Sequence, residues 1–254
     1  MTMNSGQGGN STGTGSGEGG SIEFDAGLND AALDPDSACA TQSSTATLVK
    51  KPVDIIVIID NSGSMTEEIV GVQSNINKNF ATILDASGLD YRVILVARHG
   101  KATVGQSICV EAPLSGIPVD GCNPKPVAPA VFPTKPVNNP GKFYHYSTEV
   151  ASTDSWCKVF STYNTPDEFA LAPNGWSEWL RPEAFKAFIE ITDDRVSCGA
   201  YNDKNTVAGG IAVAALFDTD LQAFASAQFV DGSANTLVFQ AIAQGGHRRR
   251  QGVV

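Results

Sequence analysis

From residue 51 onward, apolar residues fall into runs that polar turn segments separate. The first run, Val53–Ile59, is almost wholly aliphatic and β-branched, which is typical of a strand buried on both faces of a parallel sheet. Tyr91–Ala97 has the same character and predicts a second strand. Between them, apolar positions at spacings of three and four residues predict one amphipathic helix: Ile69, Val72, Ile76, Phe80 and Ile83. A strand, a helix and a second strand within about 45 residues indicate an α/β fold.

The start of this helix carries two further signals. Ser64-Met65-Thr66-Glu67 has the S-x-x-E form of a capping box. Glu67 and Glu68 place negative charge at the positive end of the helix dipole. Both signals predict that the helix begins close to Ser64.

The rest of the chain continues the alternation after one interruption. Residues 100–141 are rich in Pro and Gly with poor periodicity, and they predict a long surface excursion. Beyond it the pattern predicts, in chain order, a strand near a sheet edge at Phe143–Val150, a helix from Ser155, a short helix after Pro182, a strand at Phe188–Thr192, a helix over residues 205–228 with a break near Asp218–Asp220, and a last strand at Thr236–Ala243.

These elements predict a doubly wound, mostly parallel α/β sheet flanked by helices over residues 51–244. Residues 1–50 begin with a Gly/Ser-rich tract and continue through acidic and Ser/Thr-rich sequence, which predicts a disordered tether. Residues 245–254 include the basic run His247-Arg248-Arg249-Arg250 and are expected to form a disordered tail.

Composition narrows the classes of function. The formal net charge is -10, from 27 acidic and 17 basic residues. This balance argues against a general nucleic-acid binder, because such a protein needs a basic surface. No apolar run approaches the roughly 18 residues that a transmembrane helix needs. The N-terminal residues also lack the pattern of a signal peptide.

The five cysteines are scattered, with no C-x-x-C pair, and only three histidines accompany them. This distribution fits disulfides in an oxidising compartment better than a zinc site, with reduced thiols as the alternative. We favour a Cys109–Cys122 disulfide, because it would pin the excursion; its short loop gives an expected gain of about 3 kcal/mol. The odd number leaves one cysteine unpaired or paired outside this chain. The five positions are Cys39, Cys109, Cys122, Cys157 and Cys198.

Candidate chemistry lies in Asp60-Asn61-Ser62-Gly63-Ser64, where the first predicted strand ends and the first helix begins. Ligands of open α/β sheets bind at this carboxyl edge. One carboxylate and two hydroxyls, offset by two residues each, can converge from a tight turn, in which Gly63 allows the sharp bend. All three donors are hard oxygens, which suit Mg²⁺, Ca²⁺ or Mn²⁺ rather than Zn²⁺.

The form D-x-S-x-S after a hydrophobic strand resembles the metal-ion-dependent adhesion site of von Willebrand factor type A (VWA) domains, as in integrin I domains. In that family a Thr from a second loop and an Asp after a later strand complete the site. Asp193, in Ile191-Thr192-Asp193, matches the later Asp. Thr153, just before a predicted helix, is preferred to Thr148 and Thr162. The resemblance covers residues 53 to about 243 and implies five metal ligands: Asp60, Ser62, Ser64, Thr153 and Asp193.

The sequence departs from the family at three places. Asp194 stands where the family usually has Gly, and it adds a carboxylate without an assigned role. The excursion at residues 100–141 is long for the family. The sequence ends soon after the fifth expected strand, so we expect the last strand and the C-terminal helix to be truncated. A Cys157–Cys198 disulfide would link the neighbourhoods of Thr153 and Asp193 and stiffen the site; the alternative is two buried thiols.

The combination of a Gly/Ser tether, KKPVDIIVIIDNSGSM, a cysteine-bearing excursion and EITDD is similar to uncharacterised VWA-containing predicted lipoproteins of Gram-negative bacteria. That similarity implies an extracytoplasmic location, in the periplasm or at the cell surface, with a lipid anchor upstream of this sequence.

The resemblance implies a binding module rather than an enzyme: a cation-dependent adhesion or scaffold protein that captures a carboxylate on another protein or a surface polymer. The alternative is a Mg²⁺-dependent hydrolase that uses Asp60, Asp193 and Asp194 to activate water. One observation argues against the hydrolase. An aspartyl-nucleophile phosphatase has a second Asp two residues after the first (D-x-D), whereas Ser62 stands two residues after Asp60. A third interpretation is structural: Asn61-Ser62-Gly63-Ser64 would be a polar turn that caps a helix.

Overall fold

The computed structural model describes residues 51–100, 107–122, 133–229 and 237–242. The predicted tether, the predicted tail and Cys39 lie outside these residues. Seven strands lie within them: β1 (Val53–Ile59), β2 (Tyr91–Val96), β3 (Phe143–Tyr146), β4 (Phe185–Thr192), β5 (Ser197–Cys198), β6 (Tyr201–Asn202) and β7 (Leu237–Ile242).

Five of these strands form one parallel sheet in the spatial order β3-β2-β1-β4-β7. The first strand of the sequence is therefore the central strand, and β3 lies at an edge, as its aromatic alternation predicts. β5 and β6 form a separate antiparallel pair. Because every pair in the main sheet is parallel, the carboxyl ends of its strands all meet at one edge.

Helices cover both faces of the sheet. They are α1 (Thr66–Asn75), α2 (Ala81–Ala86), α3 (Ser155–Thr162), α4 (Val207–Phe224) and α5 (Ser226–Phe229), together with short 3₁₀ turns at Gly63–Met65 and Trp176–Trp179. Side chains of β1 alternate between two hydrophobic cores. Ile55, Val57 and Ile59 pack with the α1–α2 side, whereas Ile56 and Ile58 pack with an aromatic cluster under α3 and α4. The predicted α/β class and the burial of β1 on both faces are confirmed.

A π-helical turn at Ile76–Phe80 separates α1 from α2. This turn places one extra residue in the helix, so the buried face beyond it moves by one position. Ala81 and Leu84 are buried after the turn, whereas Ile83 is 65% exposed. The predicted single apolar stripe is therefore wrong at Ile83, because it assumed one uninterrupted α-helical period.

Three predictions for the second half of the chain need correction. No helix follows Pro182; the helical turn is the preceding Trp176–Trp179, and residues 182–184 lead directly into β4. α4 runs through Asp218–Asp220 without a break, and the chain leaves the helix at Ala225 instead. The aspartates are tolerated because they lie on partly exposed positions of the helix.

The described parts of the excursion, residues 107–122 and 133–141, do not lie wholly on the surface. Ile108, Val110 and Leu114 are buried in the core on the α1–α2 side. The predicted Cys109–Cys122 disulfide is confirmed. Between these cysteines the Glu111 carboxylate accepts hydrogen bonds from the backbone N–H groups of Asp120 and Cys122, at 3.0 and 2.9 Å. The disulfide and this carboxylate allow the segment to fold back onto the sheet.

Among the described helices, α4 is the one long and apolar enough by composition to cross a bilayer. Its buried residues Val213, Phe217 and Leu221 belong to the aromatic core beneath the sheet. A core helix of a soluble protein passes the same test of length and composition, so α4 by itself is weak support for a membrane span.

Candidate metal site

The D-x-S-x-S segment lies at the carboxyl edge of the sheet, where β1 and β4 end side by side. Ile59 pairs with Ile191 in the ladder, and the Asp60 N–H donates to the Ile191 carbonyl at 2.9 Å. Asp193 follows two residues later on the neighbouring strand end. The parallel register therefore brings together two aspartates that are far apart in sequence.

The Asp60 carboxylate is fixed on both of its oxygens. Asp60 is 1% exposed. Its Oδ1 accepts from the Ser62 N–H at 2.7 Å, and its Oδ2 accepts from the Thr192 hydroxyl at 2.8 Å. A buried carboxylate needs such donors, because its desolvation is costly without them. The two contacts hold Asp60 in one orientation at the floor of the site.

The two serines extend the site towards solvent. The Ser62 and Ser64 hydroxyls lie 2.9 Å apart, and the Ser64 hydroxyl donates to Asp193 Oδ1 at 3.1 Å. Ser64 is exposed. The predicted capping box is wrong, because no side chain caps α1 and the Ser64 hydroxyl faces Asp193 instead. Glu67 and Glu68 do lie in the first turn of α1, as predicted.

Three carboxylates converge at this edge. Asp60, Asp193 and Asp194 each offer one oxygen, and these oxygens lie within 4.8 Å of one another. Partial burial raises the pKa of Asp193 above its ordinary value, and the negative charges of Asp194 and Asp60 add to the rise, against the Ser64 hydrogen bond. Like charges this close disfavour ionisation, and a bound cation would relieve that repulsion. The three oxygens are therefore close enough to hold one metal ion.

A second loop, residues 150–154, borders Asp60. The Asn61 N–H donates to the Val150 carbonyl at 2.8 Å, and the Thr153 carbonyl accepts from the Ser197 N–H at 3.0 Å. Burial raises the pKa of Asp154, and the charge of Asp60 contributes to the rise. Thr153 thus lies in the loop expected to supply a ligand, and coordination by its hydroxyl remains a prediction.

Cys157 and Cys198, for which the sequence left a disulfide and two buried thiols open, form a disulfide. Cys157 lies in the first half of α3, and Cys198 lies in β5, five residues after Asp193. The disulfide therefore ties the helix that follows the Thr153 loop to the segment that follows the β4 carboxylates. It acts alongside the Ser197–Thr153 backbone hydrogen bond, which joins the same two segments.

Sequence reasoning missed three polar groups around the site. Thr192 ends β4 and its hydroxyl donates to Asp60, a contact that the strand pattern alone does not indicate. Asp154 directly precedes α3, and the sequence indicated Thr153, one residue earlier, as the ligand instead. Glu190 is 2% exposed and carried no signal, because a single Glu in the run Phe-Ile-Glu-Ile-Thr does not reveal which face is buried.

No family model, curated protein or solved structure matches this chain. The chemistry of the residues themselves therefore carries the functional interpretation.

Proposed function

We propose that this chain binds a divalent cation at the carboxyl ends of β1 and β4, in the manner of a VWA-type metal site, and uses the cation to capture an acidic group of a partner. The Ser64–Asp193 hydrogen bond carries the proposal. A serine that only began a helix would bond to the backbone of that helix. Ser64 instead contacts a carboxylate 129 residues away in sequence, next to a buried aspartate.

The proposed ligands are Asp60, Ser62, Ser64 and Asp193, with Thr153 as a further ligand from the second loop. Carboxylate and hydroxyl oxygens suit Mg²⁺, Ca²⁺ or Mn²⁺. Asp60 and Asp193 would supply two negative charges and neutralise a divalent ion. Asp194 would supply a third charge from the same strand end.

The exposure of the site favours a macromolecular partner. Asp60 is buried, Ser62 is partly exposed, and Gly63 and Ser64 are exposed. A cation held from below by Asp60 would therefore have a coordination position open to solvent. An oxygen of a protein carboxylate or an acidic surface polymer would fill it. The net charge of -10 makes a nucleic acid an unfavourable partner.

A Mg²⁺-dependent hydrolase is the second candidate, and the nearby Asp194 carboxylate favours it as a base for water. His145 gives it little support. Burial lowers the pKa of His145 to about 3, so its imidazole is neutral near neutral pH. Its Nε2 lies 2.9 Å from the Ala97 carbonyl and is therefore already engaged in a hydrogen bond. Turnover of phosphoesters or esters with Mg²⁺ that is lost in Asp193→Ala would establish the hydrolase.

The two disulfides fit an extracytoplasmic location, since disulfides persist in oxidising compartments. We propose display in the periplasm or at the cell surface, through a lipid anchor. An acidic binding module in that location would meet protein and polymer carboxylates directly.

Titration of the metal-free chain with Mg²⁺, Ca²⁺ and Mn²⁺, followed by thermal unfolding, tests the cation site. A bound cation stabilises the folded state by about 2.7 kcal/mol at a hundred times its Kd. We expect this stabilisation in the wild type and its loss in Asp60→Ala. Asp90→Ala is the matched control, because Asp90 lies at the opposite edge of the sheet, just before β2, and is largely exposed. An equal shift in Asp60→Ala would refute the site.

The acidic partner is tested with poly-glutamate on a sensor surface. We expect binding with Ca²⁺ or Mg²⁺ present, no binding after chelation, and none by Asp60→Ala. Equal binding with and without the cation would mean that the metal does not capture the carboxylate.

A further inference from the structure

Glu190 is a buried carboxylate on β4, next to the central strand β1 and beneath the proposed cation site. It lies on β4 opposite Ile58 of β1 and is 2% exposed. Thr192, two residues further on the same face, donates to Asp60. Residues i and i+2 of a strand are about 6.6 Å apart, so Glu190 lies one strand repeat below the hydroxyl that orients Asp60.

Two donors from the first turn of α3 converge on this carboxylate. The Ser155 hydroxyl donates to Glu190 Oε1, and the Trp156 indole N–H donates to Oε2 at 2.8 Å. Both residues are buried, with Ser155 3% and Trp156 4% exposed. Glu190 is thus the point at which α3 is hydrogen-bonded to the central sheet.

The charge of Glu190 has no cationic partner in the part of the chain that the structure describes. The ion pairs found there do not include it. β1 presents Asp60 to it and the segment after β6 presents Asp203, while α3 presents the uncharged Ser155 and Trp156. A buried carboxylate among other carboxylates is strongly disfavoured without a compensating positive charge. A cation at Asp60 would supply that charge.

We propose that Glu190 is a positioning residue of the cation site, whose ionised carboxylate holds the first turn of α3, and with it the loop at residues 150–154, against the bound cation. This inference rests on the proposed function. The loop is continuous with α3 and contacts Asn61 through the Val150 carbonyl. Anchoring at Ser155 therefore fixes the loop from its helical end, and Val150 fixes it from the other.

Protonated and ionised Glu190 should differ in their effect on the cation, so the proposal predicts how cation affinity changes with pH. Burial raises the pKa of Glu190 to about 7, and the charges of Asp60 and Asp203 add to the rise against its two hydrogen bonds. A cation favours the ionised form, so cation binding releases a proton from Glu190 to solvent. Cation affinity should then rise with pH up to about 7, where the metal-free protein loses that proton. The pKa values of Asp154 and Asp193 are also raised above the ordinary aspartate value of 3.8, so these two carboxylates can contribute to the same pH dependence.

Glu190→Gln separates the contribution of Glu190 from those aspartates. The amide keeps one acceptor oxygen and the size of the side chain but cannot ionise. Calorimetric titration with Ca²⁺ at about pH 6 and about pH 8, in buffers of different ionisation enthalpy, gives both the Kd and the number of protons released. We expect Ca²⁺ binding to weaken roughly 10- to 100-fold in Glu190→Gln, with loss of the proton release that the wild type shows near pH 6.

Glu183→Gln is the matched control, because it removes the same charge from an exposed turn just before β4. It should bind Ca²⁺ as the wild type does. Wild-type affinity and proton release in Glu190→Gln would overturn the inference while leaving the cation site intact. Absence of Ca²⁺ binding in the wild type would instead reject the proposed function.

If Glu190→Gln does not fold, as judged by thermal unfolding in chelator, Ser155→Ala replaces it. This change removes one anchor from α3 and leaves β4 untouched. Weaker Ca²⁺ binding by Ser155→Ala supports the inference, and unchanged binding overturns it.

Discussion

Asp60 is the residue to which the contacts at the carboxyl edge converge. Its two oxygens accept from the Ser62 N–H and the Thr192 hydroxyl, and its own N–H bonds to Ile191. Each contact comes from a segment that also carries a proposed ligand or adjoins one. Replacement of the Asp60 side chain would therefore release both the serine turn and the end of β4.

Asp194 is a third carboxylate beside the proposed ligands Asp60 and Asp193, and it predicts a preference among cations. Ca²⁺ accepts six to eight oxygen ligands, whereas Mg²⁺ is usually held by one or two carboxylates and water. We expect Asp194→Asn to weaken Ca²⁺ binding several-fold more than Mg²⁺ binding, as measured by calorimetry with each ion. Equal losses for both ions would show that Asp194 acts through its charge alone.

At this scale the sequence predicts the residues that follow strand ends and misses those that face inward. Asp60, Ser64 and Asp193 were predictable because the carboxyl ends of parallel strands share one edge. Thr192 and Glu190 were not, because the face to which they point depends on which helices cover β4. That information comes from contacts distant in sequence, and a single strand does not contain it.

Among the elements, α3 determines how the second loop is placed. Its first turn is bonded to Glu190, and its Cys157 is joined by a disulfide to Cys198 of β5. The loop at residues 150–154 lies between this anchored helix and Asn61. The disulfide therefore links the two chain segments expected to supply ligands from outside the serine turn.

The double variant Cys157→Ser/Cys198→Ser should bind Ca²⁺ more weakly than the wild type, because the loop before α3 gains freedom that cation binding must remove. The loop-entropy relation gives a stability loss of about 4 kcal/mol for this variant and about 3 kcal/mol for Cys109→Ser/Cys122→Ser. Both variants should unfold more easily in urea, but only the first should lose Ca²⁺ affinity. Equal affinity losses in both would mean that the effect is general destabilisation.

Prediction from the sequence was most accurate for the strands of the main sheet. It was least accurate for which face of a helix is buried. β1 and β2 are nearly continuous runs of apolar, mostly β-branched residues, which are typical of buried strands. The π-helical turn at Ile76–Phe80 leaves no comparable signal, since Asn77, Lys78 and Asn79 suit any exposed helix. The burial of Ile108 and Val110 was likewise not predicted, because the Pro- and Gly-rich segment around them has no apolar periodicity.

Over the whole molecule, the two edges of the sheet differ in charge balance. At the amino edge, the buried Asp54 is paired with Arg181 at 2.8 Å and with Lys186 at 3.6 Å. At the carboxyl edge, the ion pairs of the described residues include neither Asp60 nor Asp193. A protein with a net charge of -10 attracts cations in general. Among the described residues, the buried Asp60 at the carboxyl edge has no ion-pair partner, whereas the buried Asp54 at the amino edge has two.

Crystals grown with Mn²⁺ test the central claim most directly, because anomalous scattering identifies the metal and its position. Mn²⁺ takes hard oxygen ligands, as Mg²⁺ and Ca²⁺ do. We predict one anomalous peak between the carboxylates of Asp60 and Asp193, within about 2.6 Å of the ligand oxygens, and its absence from crystals of Asp60→Ala. A fully formed site without a peak at Mn²⁺ concentrations well above those that other metal proteins require, or a peak that persists in Asp60→Ala, would contradict the proposal.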